Sequence, residues 1–447
     1  MIEKRRPSAK PAFLALLCLL SGAPGVARAN GRFPAASQLV FDPARPEHLV
    51  VSSTFGLLES WDAAKTFTWT CEGALGLTGQ SDAMLAITAN GNKVAATYAG
   101  IWLGSDSCFY RSPPELLGQI VPDLTLDTAN PTRVLAFRTL SVGPGMFESA
   151  LVLSEDQGET WAAVEPPLPS DLLPLSLDFA PSDSSRIYLS ARSNSANQYR
   201  SELLRSNDSG RTFERFEIPD TTQQVLAFIA GVDANDADHV FLRVDDPMGT
   251  LLLVSDDAGE SFHELFRGSG RLPGFALASD AKELAFGGPN DGVWLGPSDG
   301  TQFEKRSSTA VSCLRYGPDG LYACADSTQG GALLARSRDR GATFETLLEF
   351  GSLCGTRGCE ATSDVARACH AEWESIAPTL GTTCGTESVE HPDAGAPPAP
   401  AKAAGSGCEF RGAGRKSWGI VALCCFLISV IGARRARCAR RIPPRAS

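Results

Sequence analysis

The chain has 447 residues, 43% hydrophobic and 20% charged, which supplies enough apolar side chain for a sizeable core and excludes a largely disordered protein. Its net charge of −11 conceals an asymmetry: the first 29 residues carry +4 and residues 408–447 carry +8, leaving −23 on everything between. A middle that acidic repels phosphate backbones and anionic headgroups, so nucleic acid is excluded as a partner and membrane contact is expected only through the C-terminal end.

Residues 1–29 read as a secretory signal peptide. Lys4, Arg5, Arg6 and Lys10 precede an apolar run from Ala12 to Leu20, and Ala27-Arg28-Ala29 is a small-x-small cleavage site. The mature chain then begins at Asn30. A lipoprotein start at Cys18 competes, but Leu17 before it is larger than the small residue that lipidation favours.

Residues 30–351 are punctuated by one short pattern, Ser-x-Asp-x-Gly-x-Thr/Ser-Trp/Phe. Four copies are complete: Ser154, Asp156, Gly158, Thr160, Trp161; Ser206, Asp208, Gly210, Thr212, Phe213; Ser255, Asp257, Gly259, Ser261, Phe262; and Ser337, Asp339, Gly341, Thr343, Phe344. Three are degraded: Ser60 to Phe67 has Ala64 in place of glycine, Ser105 to Phe109 is shortened, and Ser298 to Phe303 lacks one residue. Each unit also repeats a run ending in a turn residue, such as Gln38 to Asp42, Leu124 to Asp127 or Leu175 to Asp178. A Pro/Asn/Asp turn follows, then a β-rich run, then the strand that enters the box. Four short strands per unit of about 40–50 residues is the size of a propeller blade, and seven boxes predict seven blades. The box needs no ligand to make sense. Aspartate accepts hydrogen bonds from nearby hydroxyl and N–H groups, glycine supplies a conformation that side chains resist, and the aromatic plugs the gap between blades.

The first unit already has its innermost strand at Gln38 to Asp42 and the last its outermost at Thr343 to Glu349, so the ring need not borrow a strand to close. Residues 352–389 follow, with Cys354, Cys359, Cys369 and Cys384 around a predicted short helix from Asp364 to Glu374. They read as a cap with two internal disulfides, docked near the closure; the absence of a Cys-x-x-Cys pair disfavours zinc. Cys313 and Cys324 flank Gly317-Pro318-Asp319-Gly320 symmetrically, which predicts a disulfide across a hairpin, and Cys71 and Cys108 are left to bridge the first two blades. Eight cysteines in an exported stretch read as disulfides before they read as metal ligands.

Residues 390–407 form a Pro/Ala/Gly linker that cannot bury enough apolar surface to fold, and so read as a stalk. Within residues 408–447, Ser417 to Ala433 is a short predicted transmembrane helix. Arg434, Arg435, Arg437, Arg440 and Arg441 after it place its tail inside.

The boxes resemble those of the Asp-box (BNR) repeat proteins, which include sialidases, xyloglucan-cleaving hydrolases, sortilin and photosystem II assembly factor propellers. The resemblance covers about Ala35 to Phe350 and implies an all-β propeller, in which the boxes lie away from any active site. Gly407-Cys408, an apolar helix and a terminal arginine cluster resemble the myxobacterial C-terminal sorting signal, which implies processing and lipid attachment at Cys408 on the cell surface.

Because strands alternate in direction, box turns lie on one face and the loops between second and third strands on the other. Any site is expected on that second face. Its longest loops are Thr139 to Ser149 and Ser193 to Glu202, and Arg138, Arg192 and Arg243 stand near the ends of second strands in three successive blades. Three guanidiniums there would grip a carboxylate or phosphate. The plainer reading is that they pair with surface carboxylates. A sialidase needs three arginines on the substrate carboxylate and a Tyr–Glu nucleophile pair. Arg32-Phe33-Pro34 only echoes its N-terminal motif, and no tyrosine has a glutamate partner recognisable in sequence. His48 and His239 fall at the start of second strands and read as turn or edge residues. No His/Asp/Glu spacing suggests a metal, Asp245-Asp246 and Asp256-Asp257 read as solvated acidic loops, and no cofactor motif is present. The resulting expectation is a secreted, surface-anchored propeller that binds a protein or glycan without catalysis, with a sialidase-type glycoside hydrolase as the competing class.

Overall fold

The computed structural model describes residues 35–77, 82–144, 146–195, 198–325, 332–380 and 382. The predicted signal peptide, Cys384, the 390–407 linker, Cys408 and the 417–433 helix lie outside them. Among the described residues no helix is long and apolar enough to cross a membrane.

Seven four-stranded antiparallel sheets follow one another along the chain. Blade 1 holds β1 (Ala36–Phe41), β2 (Leu49–Ser53), β3 (Gly56–Ser60) and β4 (Thr68–Cys71); blade 2 holds β5 (Met84–Ile87), β6 (Lys93–Thr97), β7 (Gly100–Gly104) and β8 (Tyr110–Arg111). Blade 3 comprises β9 (Ile120–Leu126), β10 (Val134–Gly143), β11 (Met146–Ser154) and β12 (Ala162–Ala163). Blade 4 comprises β13 (Leu172–Ala180), β14 (Asp183–Ser195), β15 (Gln198–Ser206) and β16 (Glu214–Glu217). Blades 5 and 6 are β17 (Leu226–Val232), β18 (Val240–Asp245), β19 (Leu251–Ser255), β20 (His263–Arg267), and β21 (Gly274–Leu277), β22 (Glu283–Gly288), β23 (Gly292–Pro297), β24 (Glu304–Ser307). Blade 7 is β25 (Cys313–Gly317), β26 (Gly320–Cys324), β27 (Ala332–Ser337) and β28 (Glu345–Glu349). The first strands β1, β5, β9, β13, β17, β21 and β25 touch in succession, and β25 returns to β1, so they form the wall of a central channel. The core lies between blades. Leu135, Phe137 and Leu151 of blade 3, for instance, pack on Phe179, Ile187, Leu189 and Leu204 of blade 4.

The box turns fold alike. In blade 4, Asp208 Oδ1 accepts from Ser206 Oγ (2.8 Å), Arg211 N (3.0 Å) and Thr212 N (2.8 Å), while Oδ2 accepts from Thr212 Oγ1 (2.7 Å). Gly210 N donates to Ser206 Oγ at 2.8 Å. The same pattern closes around Asp156, Asp257 and Asp339, and around Asp62, where Ala64 takes a φ of 65° in the glycine position. In three of the complete boxes two features favour glycine. At Gly158, Gly210 and Gly259, φ lies between 88° and 100°, and a Cβ would fall within 3 Å of Val94, Leu151 or Leu203 of the preceding blade. The shortened turns keep only part of the pattern: Asp106 accepts from the N–H of Cys108 and Phe109, and Asp299 from Thr301. Asp208→Ala removes four acceptor contacts on an exposed turn; it is expected to cost about 1–3 kcal/mol and lower the melting temperature by several degrees in a calorimetric scan.

No blade borrows a strand. Blade 7 meets blade 1 through Ala36 N donating to Ala325 O (3.3 Å) and Ser312 Oγ donating to Ala36 O. The cysteine segment spans this seam, though not as a self-contained cap. Phe350 packs on Phe55 of blade 1, Trp69 N donates to Gly355 O, and helix α1 (Asp364–Leu380) lies along β4. That helix is longer than predicted, running on through Pro378. The disulfides are Cys71–Cys369 and Cys108–Cys359, with Cα atoms 5.3 and 5.7 Å apart; they replace both the expected Cys71–Cys108 bridge and the internal pairing of Cys359 and Cys369. The physical reason is placement. Cys71 ends the outer edge strand of blade 1 and Cys108 lies beside that of blade 2, so each faces α1 or the turn before it rather than the other blade. Cys354 is also disulfide-bonded. Cys313 and Cys324 are joined across directly paired strand positions, with Cα atoms 4.8 Å apart.

Candidate functional site

The long segments 139–149 and 193–202, expected to be loops, are ladders. Thr139 pairs with Ser149 and Ser141 with Phe147, while Ser193 pairs with Arg200 and Ser195 with Gln198, so two hairpins project from blades 3 and 4. β-branched and aromatic residues (Thr139, Val142, Phe147, Tyr199) favour extended backbone there over a loop.

The three candidate arginines are held within their own blades. Arg138 Nη1 lies 4.0 Å from Glu148, Arg192 sits over the Tyr199 ring at 5.3 Å, and Arg243 Nε lies 2.9 Å from Asp245 with its guanidinium over Phe228. The residues paired with the box serines are Val134, Ile187 and Val240; Arg138 is the fourth residue beyond the first, Arg192 the fifth beyond the second and Arg243 the third beyond the last. Side chains alternate along a strand, so Arg138 faces one side of its blade and the other two face the opposite side. The structure does not bring the three together.

The same face carries an apolar feature that charge-based reading missed. Eight large apolar side chains stand exposed among the described residues: Tyr98, Phe109, Leu117, Ile120, Leu140, Val142, Met146 and Met248. All but Phe109 lie on loops or strand ends of the face opposite the boxes. Tyr98 and Leu117 belong to segments joined by Gly118 N donating to Ala99 O, and Ile120 pairs with Thr139 at the base of the blade 3 hairpin. A patch therefore runs from blade 2 onto that hairpin.

The channel holds the second cluster. Thr125 Oγ1 of blade 3 donates to Asp178 Oδ1 of blade 4 at 2.7 Å, and Leu177 N donates to Asp123 Oδ2 at 3.0 Å. Burial pushes the Asp123 carboxyl up to about 7, with the nearby Asp178 charge adding to it and the Leu177 and Leu124 N–H groups opposing it. Burial pushes Asp178 up to about 6 against the Thr125 hydrogen bond and the charge of Arg315. Arg315 on β25 keeps part of its surface exposed yet is closely surrounded by protein, so burial draws its guanidinium down while the Asp178 charge opposes it. The repeat pattern had aligned Asp178 with the turn residues Asp42 and Asp127. In fact β13 runs two residues further, Asp183 makes the turn by accepting from Ser185 N, and Asp178 is released to the channel.

Two further groups depart from expectation. His48 is buried, not an edge residue: it stacks on Trp61 (centroids 3.6 Å apart), with Nδ1 2.9 Å from Asp42 and Nε2 2.8 Å from Glu59. Burial alone would raise the Glu59 carboxyl, but Lys93 at 3.1 Å and hydrogen bonds from His48 and Ser107 hold it far below the usual range. This sealed network ties blade 1 to blade 2. A tyrosine–glutamate pair also exists, Tyr316 Oη donating to Glu283 at 2.7 Å, with Arg340 on the same carboxylate. It lies at the box end of its strands, and burial together with that bond pushes the phenol upward, opposite to what a nucleophile needs. Among the described residues no group of three His, Cys, Asp or Glu could hold a metal ion.

No family model and no curated protein matches the chain. Solved structures do. An ancestral GH74 enzyme is similar with a TM-score of 0.54 at 15% identity, over 70% of this chain and 46% of that one. A GH74 xyloglucanase from Xanthomonas campestris gives 0.36 at 18% identity over 74% and 56%, and YCF48 bound to D1 peptide gives 0.35 at 16% over 52% and 69%. The chain spans about half the length of the two GH74 structures, and at these identities the likeness shows a β-propeller fold alone.

Proposed function

We propose that the chain is an exported, surface-held binding module without catalysis, and that a protein partner docks on the face opposite the box turns. The observation that carries this is the one-sided distribution of exposed apolar side chains: seven of the eight lie on the face opposite the boxes, and large apolar groups gathered on one face of an acidic surface mark a protein contact more than a sugar site. Projecting hairpins extend the patch beyond the ring. The predicted signal peptide, stalk and Cys408 supply export and attachment in this reading, and the disulfides fit an oxidising compartment. The competing reading, a glycoside hydrolase, draws on the GH74 fold likeness.

The two separate in one assay. The purified exported region, residues 30–389, is expected to leave a fluorogenic sialoside and xyloglucan oligosaccharides uncleaved; turnover lost on Arg192→Ala or Glu283→Gln would overturn the reading. Mass spectrometry of cell-derived protein tests the attachment: an intact, unmodified C-terminus would refute processing at Cys408.

A further inference from the structure

The outer strands of the seven blades are sheet edges, and an unpaired edge accepts a further strand unless it is covered or charged. Six of the seven are guarded. Helix α1 lies along β4, and Asp364 at its start accepts from Tyr110 N on β8 at 3.1 Å. β16 (Glu-Arg-Phe-Glu), β20 (His-Glu-Leu-Phe-Arg), β24 (Glu-Lys-Arg-Ser) and β28 (Glu-Thr-Leu-Leu-Glu) each carry at least two charged side chains. β12 is the exception, two exposed alanines, Ala162 and Ala163, followed by Val164.

The ladder leaves this edge open at one residue. Val164 N donates inward to Leu151 O at 2.9 Å, and Ala163 pairs with Val152. In an antiparallel ladder the N–H and C=O of one residue point the same way and alternate between neighbours, so those of Ala163 point away from the blade. Trp161 points outward too, but its N–H is taken by Glu115 at 3.2 Å. Beyond the edge lies a groove of about 620 Å³. Residues 160–165 all line it, so it follows the strand, and Ser209 and Arg211 of the blade 4 box close its far side. Glu155 and Glu165 also stand on it, and among the described residues neither has an ion-pair partner.

We infer that an extended segment of a partner protein, carrying a lysine or arginine, adds to β12 along this groove. Ala163 supplies one N–H and one C=O that set the register, and the alanine methyl groups let the added backbone approach. Leu153 and Val164 give apolar contact, and Glu155 and Glu165 take the cation. The net charge of −23 on the middle of the chain draws basic segments towards it. The contact lies on the outer edge of blade 3 and does not depend on the apolar face opposite the boxes.

Fluorescence anisotropy of labelled heptapeptides titrated with the full-length protein in mild detergent reads this contact. The probes alternate threonine and valine around a central lysine, glutamine or glutamate. The lysine peptide is expected to bind at least tenfold more tightly than the glutamate peptide. Methylating its alternate backbone nitrogens in one of the two registers, which leaves its charge intact, is expected to weaken it at least tenfold. Ala163→Pro removes an N–H that the blade itself does not use and should weaken the lysine peptide equally, while Glu155→Gln with Glu165→Gln should abolish the preference for lysine. Absence of binding by every peptide at millimolar concentration overturns the proposal. So does undiminished binding of the peptides methylated in either register, undiminished binding by Ala163→Pro, or a lysine preference that survives the double glutamine variant. The methylated peptides are read on the unaltered protein, so that arm needs no variant to fold.

Discussion

Replacing Cys71 and Cys108 together with serine is expected to lower the melting temperature of residues 30–389 by roughly 10–20 °C. Cys71–Cys369 closes a loop with a sequence separation of 298, for which chain entropy gives about 6 kcal/mol. Cys108–Cys359 lies inside that loop and adds less than it would alone, since the first bridge already restricts its ends. A domain of this size shifts by about 2–4 °C per kcal/mol. The effect is larger than stability alone suggests, because the ring has no shared strand at the blade 7 to blade 1 seam. Without the bridges that seam rests on edge contacts of β1 with β25 and on the packing of Phe350 and Trp373 against Phe55 and Trp69. The double serine variant is therefore also expected to be cut by protease just after β28 at low doses that leave the parent intact. Cys313→Ser with Cys324→Ser, which opens a separation of only 11, should cost about 3 kcal/mol and leave the seam resistant. Equal sensitivity of the two variants at the seam would contradict the clamp.

Stability should fall as pH rises from about 4 to about 7, and Asp178→Asn should flatten that fall. The sign follows from proton counting. In the unfolded chain both channel aspartates ionise near their ordinary value of 3.8, whereas in the ring Asp178 holds its proton to about 6 and Asp123 to about 7. Between those limits the folded state binds more protons than the unfolded one, so the contribution is fully present below pH 4 and is lost as pH climbs through 6 and 7. Together the two carboxyls contribute on the order of several kcal/mol, lessened at Asp178 by its partial exposure. An asparagine at 178 keeps an acceptor for Thr125 and carries no charge, so the variant should be the more stable protein at pH 8 and close to the parent at pH 4. Denaturant titrations at the two pH values check this; parallel curves for both proteins would show that the channel carboxyls ionise freely. The box aspartates act in the other direction. Hydrogen bonds hold Asp208 and Asp339 at about 2, so what they contribute is lost as pH falls below 4. The two opposing groups predict a stability maximum on the acid side of neutrality.

The ring was legible in the chain because the box is local chemistry. Ser, Asp, Gly and Thr at fixed spacing close the same turn wherever they occur, and even Ala64 in the glycine position leaves the Asp62 turn intact. The Cys313–Cys324 pair was legible for the same reason, a two-residue turn placing the sulfurs on paired strands. The cap bridges were not, since nothing in local spacing says that residue 71 meets residue 369. Nor was the channel. Asp178 looked like a turn aspartate because its run resembles those ending at Asp42 and Asp127, and only the register of β13 with β14 shows it two residues short of the turn. The exposed apolar face was missed on different grounds: its residues are scattered singly in sequence over Tyr98, Leu117, Ile120 and the 140–146 hairpin, and folding alone brings them to one face.

A photo-crosslinking residue placed at Val142, compared with one at Lys282 on the box face, tests most directly whether the face opposite the boxes is where this propeller meets its partner. In intact cells the Val142 probe is expected to give a discrete protein adduct that Leu140→Glu removes, and the Lys282 probe none. An adduct from Lys282 with none from Val142 would place the contact on the box face and contradict the account.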